Sequence, residues 1–315
     1  MKYGIPQGTL LGPIIFSLYI QPLYKELEKH NVNFHAYADD TQIYIHTQDP
    51  TGEKNKIREV LHTIDTFLTK HKLKINPEKT EMIIIDPSII QNVNEFSIEF
   101  SGTNILAVDG VRDLGFILDK KLNYDKQVDK VCSSAFLQLR KIARNRKFLN
   151  ENSCKTIINA LVLSKLNFAS TLYLDMTEKN LNRLQKVQNY AAKVITLARK
   201  YDHVTPLLHH LNWLLIREFI KFRYLTITYQ VIHGLAPTYL CDLVKFYHPT
   251  RELRSINSNN LEIPRLNTKF ARRSFKFLAP TMWNNLPVSI KTCKTIQKFK
   301  NKLKKLLFDN YFQAV

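Results

Sequence analysis

Two adjacent aspartates, Asp39 and Asp40, stand between two short runs of alternating bulky and small or polar residues, at positions 34–38 and 41–45. Such alternation predicts two β-strands. Neighbouring residues of a straight strand point to opposite faces, so adjacent acids can serve one site only where the chain turns. The segment therefore predicts a β-hairpin with both carboxylates at its tip.

The acidic pair has two interpretations. Paired carboxylates are hard oxygen ligands, suited to a Mg²⁺ ion that keeps several waters and also binds substrate phosphates. Alternatively, Asp-Asp is simply good turn chemistry, because Asp tolerates turn conformations and bonds to its own backbone. The hairpin alone leaves both interpretations open.

Two further segments flank this predicted hairpin. The upstream segment, residues 4–13, reads Gly-Ile-Pro-Gln-Gly-Thr-Leu-Leu-Gly-Pro, and the downstream segment, residues 73–81, reads Leu-Lys-Ile-Asn-Pro-Glu-Lys-Thr-Glu. Gly4 and Gly8 permit close approach of the backbone to a ligand, and Pro6 stiffens the loop between them. Without a wider context, the upstream segment is a turn into a helix and Lys79 is an exposed charge.

In this order and at this spacing, the three segments resemble the palm motifs of reverse transcriptases, in particular those of non-LTR (LINE-type) retrotransposons. In that family a Gly-x-Pro-Gln-Gly loop, a Tyr-Ala-Asp-Asp hairpin and a Leu-x-x-Asn-x-x-Lys-Thr segment follow one another. The resemblance implies RNA-directed DNA polymerisation, in which a primer 3′-hydroxyl attacks the α-phosphate of a dNTP with the help of two Mg²⁺ ions. The implied partners are an RNA template, a DNA primer and dNTP.

The resemblance also implies roles for individual residues. Asp39 would be a direct Mg²⁺ ligand, and Asp40 a second or supporting carboxylate. Lys79 would give a proton or a positive charge to the departing pyrophosphate. Tyr37 and Ala38 would lie beside the primer end, although Tyr37 fits equally well as a strand filler.

The glutamine loop would bind template or incoming nucleotide through Gln7, with Gly4, Pro6 and Gly8 shaping its backbone. Residues 111–116 resemble the primer-grip hairpin that follows in the same family, with Gly115 as its tight point.

Reverse transcriptases carry another metal-binding aspartate upstream of the glutamine loop, and residues 1–3 supply none. We therefore expect a C-terminal fragment that begins at this loop and is inactive by itself. The alternative is a non-catalytic, basic nucleic-acid-binding remnant of such an element.

The first part of the chain, residues 1–122, is expected to be a partial palm of α/β type, with an antiparallel sheet and packed helices. An apolar stripe of Leu11, Ile14, Ile15 and Leu18 predicts a helix after the loop, kinked or restarted at Pro22. A second amphipathic helix is predicted over 53–72. Strands are predicted over 81–86, 96–100, 104–108 and 111–118, with turns at Ser101-Gly102 and Asp109-Gly110.

The later chain is mainly helical by its periodicity, with helices expected over 125–147, 151–174, 177–200 and 214–233. Their apolar stripes are more typical of a helix-bundle core than of a cofactor pocket. The resemblance implies that residues 123–245 are a thumb-like domain. Proline-rich residues follow, so a further boundary is expected near 246.

Residues 246–315 form the expected basic C-terminal region. Lysines at 291, 294, 298, 300, 302, 304 and 305 accompany Ile296, Phe299, Leu303 and Leu307, which predicts a basic amphipathic helix. Its charges could form a solvated face, contact phosphate or, least in favour, adsorb to a membrane.

The whole chain carries 46 Lys and Arg against 27 Asp and Glu, so nucleic acid is the expected partner and a membrane is not. The four cysteines form no Cys-x-x-Cys pair, which argues against a zinc site. Scattered single thiols are typical of a protein in a reducing, intracellular compartment.

Overall fold

The computed structural model describes residues 8–47, 52–85, 96–247 and 259–312. The chain divides into two compact units, Met1–Tyr124 and Asp125–Val315. The three-part division expected from the sequence, with boundaries near 122 and 245, stays a prediction.

The first unit combines helices with short antiparallel hairpins. Its helices are α1 (Gly12–Lys29) and α2 (Lys54–Lys70). Its strands pair two by two, as β1 (Asn33–Tyr37) with β2 (Asp40–Tyr44), β3 (Ser97–Phe100) with β4 (Thr103–Leu106), and β5 (Gly110–Asp113) with β6 (Phe116–Asp119). In the described part of the chain these are three separate two-stranded sheets, not the single antiparallel set that the sequence suggested.

The core of the first unit lies where α1, α2 and two of the hairpins meet. Helix α1 buries Ile20, Leu23 and Leu27, and α2 buries Val60, Ile64 and Phe67, in each case at spacings of three or four residues. Phe100, Ile105 and partly buried residues of β1 and β2 complete the cluster. The amphipathic helix predicted over 53–72 is thus confirmed.

The helix predicted after the loop is confirmed as α1, but two of its features could not be predicted from the apolar pattern. Its predicted apolar stripe faces solvent, with Leu11, Ile14 and Leu18 each about 60% exposed. The helix also continues through Pro22 without restarting. Proline removes one backbone donor from a helix, but Ile20 and Leu23 on either side of it are both buried in the core. These contacts hold the two adjoining turns in place.

The strand predictions after α2 are only partly right. The Ser101-Gly102 turn is confirmed, with positive φ at both residues. In place of the strand predicted over 81–86, the described residues form only an isolated parallel bridge between Met82 and Ala107, and Asp86 lies outside the described residues. Residues 111–118 are not one strand, because the chain reverses at Leu114 and Gly115 to form β5 and β6. Asp109-Gly110 is not a hairpin turn, since β4 and β5 belong to different sheets.

The described part of the second unit is mainly helical, with an isolated antiparallel bridge between Phe246 and Leu261. Its α-helices are α3 (Asp125–Arg144), α4 (Glu151–Ile158), α5 (Ser164–Asn167), α6 (Glu178–Thr196), α7 (Thr205–His210), α8 (Ile216–Ile232), α9 (Thr238–Cys241), α10 (Lys269–Arg272), α11 (Phe275–Asn284), α12 (Val288–Lys291) and α13 (Ile296–Phe312). The helices predicted over 125–147, 177–200 and 214–233 are confirmed within a few residues. The helix predicted over 151–174 is wrong as a single element.

That third stretch is interrupted twice. A π-helical turn, Asn159–Leu163, separates α4 from α5, which means that one extra residue is accommodated in the turn. The chain then leaves the helix at Phe168 and takes a left-handed conformation at Ala169. Periodicity cannot show either event, because both helical halves keep an apolar side.

An aromatic cluster joins α8 to the last helices. The ring of Tyr229 lies 4.5 Å from that of Phe299, and the Phe299 ring lies 5.7 Å from that of Trp283. All three side chains are fully buried. The amphipathic helix predicted near the C-terminus is confirmed as α13, which buries Phe299, Leu303 and Leu307.

The first lysine of the predicted basic face is not on that face. Lys291 is only 4% exposed, and its Nζ donates to Asn260 Oδ1 at 2.8 Å and to the carbonyl of Asn284 at 2.9 Å. Burial lowers the pKa of Lys291. Lys298, Lys302 and Lys305 of α13 are exposed, so the basic surface is real but smaller than the sequence suggests.

Arg146, just after α3, is a second buried cation. Its guanidinium donates to the carbonyls of Val194 and Ile195 at 2.8 and 2.7 Å, and to the carbonyl of Leu149. Val194 and Ile195 lie in the last turn of α6, where carbonyl groups have no partner within the helix. The arginine therefore caps α6 from a neighbouring segment and adds a favourable charge at its negative end.

Replacing Arg146 should destabilise the second unit. We expect Arg146→Met to lower the free energy of unfolding by about 2–4 kcal/mol, because two buried carbonyls and one partly buried carbonyl lose a donor. The neighbouring exposed Lys147→Met is the control and should change it by less than about 0.5 kcal/mol. Urea unfolding followed by tryptophan fluorescence measures this unit selectively, since both tryptophans, Trp213 and Trp283, lie in it. Equal effects of the two substitutions would contradict the capping role.

Candidate active site

Strands β1 and β2 form the predicted hairpin. Their antiparallel register pairs Phe34 with Ile43 and Tyr37 with Asp40. Ala38 and Asp39 are therefore the two residues of the turn, and Ala38 takes a positive φ of 54°. Asp40 begins the returning strand. The prediction of a hairpin with adjacent carboxylates at its tip is confirmed, and both acids are exposed to solvent.

The two faces of this hairpin have different environments. Phe34 and Ile43 pack into the core of the first unit, and the Phe34 ring stacks on Tyr24 at 5.3 Å. Because side chains alternate along a strand, Asp40, Gln42 and Tyr44 share the opposite face. The buried face therefore fixes which way the acidic strand presents its polar side chains.

The polar face of β2 meets the second hairpin at Asp113, the last residue of β5. Gln42 Nε2 donates to Asp113 Oδ1, and the Tyr44 hydroxyl donates to Gln42 Oε1. Partial burial, and then the negative charge of Asp40, raise the pKa of Asp113, while the hydrogen bond from Gln42 opposes the shift. Burial and the charge of Asp113 likewise raise the pKa of Tyr44.

Asp113 is a site residue that sequence reasoning missed. It was named only as part of the segment that resembles a primer grip, without a role of its own. The alternation of Asp40, Gln42 and Tyr44 indicates one polar face, but no local pattern connects this face with a residue some seventy positions later. Asp113 approaches the acidic hairpin because the two hairpins pack against each other.

The segment that carries Lys79 contacts the same second hairpin. Residues Pro77–Lys79 form a single 3₁₀ turn, started by the Asn76 side chain, which accepts a hydrogen bond from the Glu78 amide at 3.1 Å. Lys79 itself is exposed. Two residues later, Glu81 Oε2 accepts from the Arg112 amide at 3.3 Å. Strand β5 thus contacts both the acidic hairpin, through Asp113, and the lysine segment, through Arg112.

The other predicted site residues are only partly described. Tyr37 is 69% exposed and Ala38 is exposed beside it, so the tip is open to a large partner. Gly8 is exposed and has a φ of +91°, a conformation that favours glycine. Gly4, Pro6 and Gln7 lie outside the described residues.

The acidic tip fits part of a magnesium site. Asp39 and Asp40 offer carboxylate oxygens, which Mg²⁺ prefers, and their exposure leaves room for the waters that this ion retains. Among residues 8–47, 52–85, 96–247 and 259–312, no group of three or more His, Cys, Asp or Glu side chains is arranged to hold a metal ion. The described donors are therefore a partial set.

Comparison with known families identifies the class of protein. The family model described as reverse transcriptase (RNA-dependent DNA polymerase) matches residues 1–159, which include the acidic hairpin, the lysine segment and the second hairpin. The chain belongs to the reverse transcriptase family. Its similarity to RNA-directed DNA polymerases of transposons and mobile elements supports the LINE-type assignment.

Three relatives come from Drosophila melanogaster. The "Probable RNA-directed DNA polymerase from transposon BS" is 25% identical over 229 residues, which cover 70% of this chain and 25% of that protein. The "RNA-directed DNA polymerase from mobile element jockey" is 21% identical over 209 residues, or 63% of this chain and 22% of that protein. The "Probable RNA-directed DNA polymerase from transposon X-element" is 18% identical over 198 residues, or 61% and 22%.

The chain spans about a quarter of the length of these relatives. No solved structure matches it. None of the helices in the described residues is long and apolar enough to cross a membrane.

The tip of the second hairpin carries an unusual residue for its conformation. Leu114 and Gly115 have φ values of +43° and +88°, and the left-handed region costs an L-residue other than Asn or Asp roughly 1–2 kcal/mol. We expect Leu114→Asn to stabilise the hairpin by about 0.5–1 kcal/mol, because Asn-Gly suits such a turn. Amide hydrogen exchange of Asp113 and Phe116, which form the pair next to the turn, would measure this as slower exchange.

Leu114→Ala is the matched control for the turn. It removes the same exposed side chain but keeps the conformational cost, so it should not slow exchange at Asp113 and Phe116. Equal protection in the Asn and Ala variants would show that the left-handed conformation of Leu114 carries no cost.

Proposed function

We propose that this chain supplies the latter part of the palm and the thumb of an RNA-directed DNA polymerase from a non-LTR retrotransposon. The observation that carries the proposal is the exposed tip with Asp39 and Asp40, held against the second hairpin through Gln42 and Asp113. This arrangement lies within the segment that the family model matches. RNA template, DNA primer and dNTP are the proposed partners of the intact enzyme.

The proposed chemistry assigns a separate task to each group. Asp39 and Asp40 would hold Mg²⁺, which when bound polarises the attacking and leaving oxygens of an in-line displacement. Lys79 Nζ would give a proton to the leaving pyrophosphate. Tyr37 and Ala38, exposed next to the acids, would lie against the primer end. Gln7 would contact template or nucleotide from a loop shaped by Gly4, Pro6 and Gly8.

The assignment of the three segments of the chain to domains rests on resemblance to the same family. Residues 1–122 are proposed as partial palm, 123–245 as thumb and 246–315 as a basic C-terminal region. The helical character of the second unit and the exposed lysines of α13 support these assignments. Phosphate contacts from such lysines would position nucleic acid without reading its sequence.

We further propose that these 315 residues alone do not polymerise. A two-ion site needs more carboxylates than Asp39 and Asp40 offer, and the described residues contain no group of three or more His, Cys, Asp or Glu side chains arranged to hold a metal ion. The exposed apolar side chains of α1, Leu11, Ile14 and Leu18, support this proposal. A contiguous apolar patch of this kind is typical of a surface that packs against further protein.

Grafting the hairpin into a relative tests the catalytic role of its tip. Residues 33–44 would replace the matching hairpin of the jockey polymerase, and primer extension on an RNA template would be measured. We expect extension to be retained by the graft and lowered at least about 100-fold by Asp39→Ala within it, because electrostatic stabilisation of the transition state is lost.

Asn33→Ala, at the far end of the same grafted hairpin, is the control and should leave extension unchanged. An Asp39→Ala graft as active as the unchanged graft would refute the role of the acid. A folded graft without any activity would instead favour the second candidate function, a basic nucleic-acid-binding remnant, for which the net charge of +19 is the specific support.

The isolated chain should bind nucleic acid but not extend a primer. Fluorescence anisotropy with a labelled RNA–DNA template–primer should show binding that weakens steeply with salt, because lysine and arginine contacts to phosphate release counterions. Extension with Mg²⁺ and dNTP should stay at background. Extension by the 315-residue chain that Asp39→Ala abolishes would contradict the proposed incompleteness, and salt-independent affinity would contradict the proposed mode of binding.

A further inference from the structure

The second unit contains a cavity of about 270 Å³ that has no part in the acidic site. It lies where α5, α6, α8, α13 and the connection from α7 to α8 meet. Drug-sized ligands occupy pockets of about 300–1,000 Å³, so this cavity suits one small group of ligand atoms, not a duplex.

Aromatic rings form much of the cavity lining. Trp213 comes from the connection before α8, and Phe219 and Phe222 from the first turns of α8. The two phenylalanine rings lie 6.5 Å apart. Rings of this kind are the surfaces on which unpaired nucleobases stack, irrespective of base identity.

Amide side chains add polar groups to this apolar lining. Gln188 is held in place, since its Nε2 donates to the Leu214 carbonyl at 2.9 Å and its Oε1 accepts from Gln185 at 2.9 Å. Asn167 and Asn212 also line the cavity. Each amide carries both donors and an acceptor, which is the combination found on the edges of nucleobases.

The charge at the cavity is positive. Lys304 of α13 is among the lining residues, and none of them is an acid. Lys155 donates to the Leu211 carbonyl at 3.5 Å, next in the chain to Asn212. Burial, and then the charge of Lys155, lower the pKa of Lys304. The two ammonium groups therefore repel each other, and an anion between them would relieve that repulsion.

A local backbone feature adjoins the same place. Leu163, another lining residue, is the last residue of the π-helical turn between α4 and α5. Single π turns inside α-helices occur frequently at functional sites. The π turn, the aromatic walls and Lys304 therefore line one cavity.

We propose that this cavity binds one nucleotide, with the base against Trp213 and Phe222 and the phosphate between Lys304 and Lys155. The nucleotide is either free or the terminal, unpaired unit of a single strand, since both present the same base and phosphate. All residues that line this site belong to the second unit, and binding there does not depend on polymerase activity.

Photocrosslinking of the full chain tests the proposal. One probe is 5-iodouridine 5′-monophosphate. The other is an oligothymidylate whose 5′-phosphorylated terminal residue is 5-iodo-deoxyuridine. Crosslinked peptides are mapped by mass spectrometry. We expect crosslinks concentrated on the peptides that carry Trp213 and Phe222. Crosslinks from the monophosphate would indicate a free nucleotide, and crosslinks from the oligonucleotide alone would indicate the end of a strand.

Two lysines of the same helix provide a matched pair of variants. Lys304→Met should weaken monophosphate binding about tenfold, as expected for loss of a charged hydrogen bond. Lys298→Met removes an equal charge from an exposed position of α13 and should change binding less than about twofold. Trp213→Leu should weaken binding of the nucleotide while leaving competition by inorganic phosphate unchanged. Unaltered fluorescence of Trp283 in the lysine variants would show that the fold is intact.

The proposal would be overturned by crosslinks spread evenly over the basic surface, by equal effects of the two lysine substitutions, or by the lack of any crosslink to the cavity peptides from either probe. Competition with decanoate gives a further test. If decanoate displaced the iodinated monophosphate more strongly than unlabelled uridine monophosphate does, the proposal would also be overturned, because the cavity would then select an acyl anion over a base.

Discussion

Side chains alternate across a strand, and the arrangement of the acidic site depends on this constraint. In β2, Ile43 must face the core if the first unit is to bury its apolar surface, and Gln42 and Asp40 must then face the other way. A slip of one residue in the register would place Asp40 towards the core and Ile43 in solvent. The hydrophobic pairing of Phe34 with Ile43 therefore determines the orientation of the polar groups, although neither residue touches the site. Asp39 lies in the turn, where the alternation of side chains does not apply, so its carboxylate can lie beside that of Asp40.

This dependence explains which parts of the structure could be predicted. The acidic hairpin, helix α2 and the buried face of α13 follow from local periodicity, which is visible in any window of some ten residues. Asp113 could not be predicted as a neighbour of Gln42, because their contact depends on how two hairpins pack. The second hairpin follows from the resemblance of residues 111–116 to a primer-grip hairpin with Gly115 as its tight point, whereas the alternation of residues 111–118 alone predicted one strand. The exposed stripe on α1 shows the converse, in which a good helical pattern does not reveal what the stripe packs against.

Buried cations show a second limit of sequence reasoning. Lys291 and Arg146 both fall in basic stretches, where charge patterning indicates a solvated or phosphate-binding face. In the structure, each is buried and donates to carbonyl or amide oxygens of the protein. Backbone carbonyls at a helix end or in a connection have no other donor available, so a long basic side chain can satisfy them from outside. Part of the formal charge of +19 thus supports the fold and does not contact a ligand.

The remaining charge has a consequence for how binding and chemistry relate. Exposed lysines attract phosphates over distances of about 10 Å at 0.1 M salt, whereas the carboxylates at the tip repel them at short range. Under the proposed function, the basic surface would hold a nucleic acid, while the acidic tip would repel the reacting phosphate unless a cation neutralises it. Family membership is a property of many residues distributed along the chain. The proposed activity would depend instead on neutralising two adjacent negative charges at the tip, because the lysines of α13 cannot serve as metal ligands.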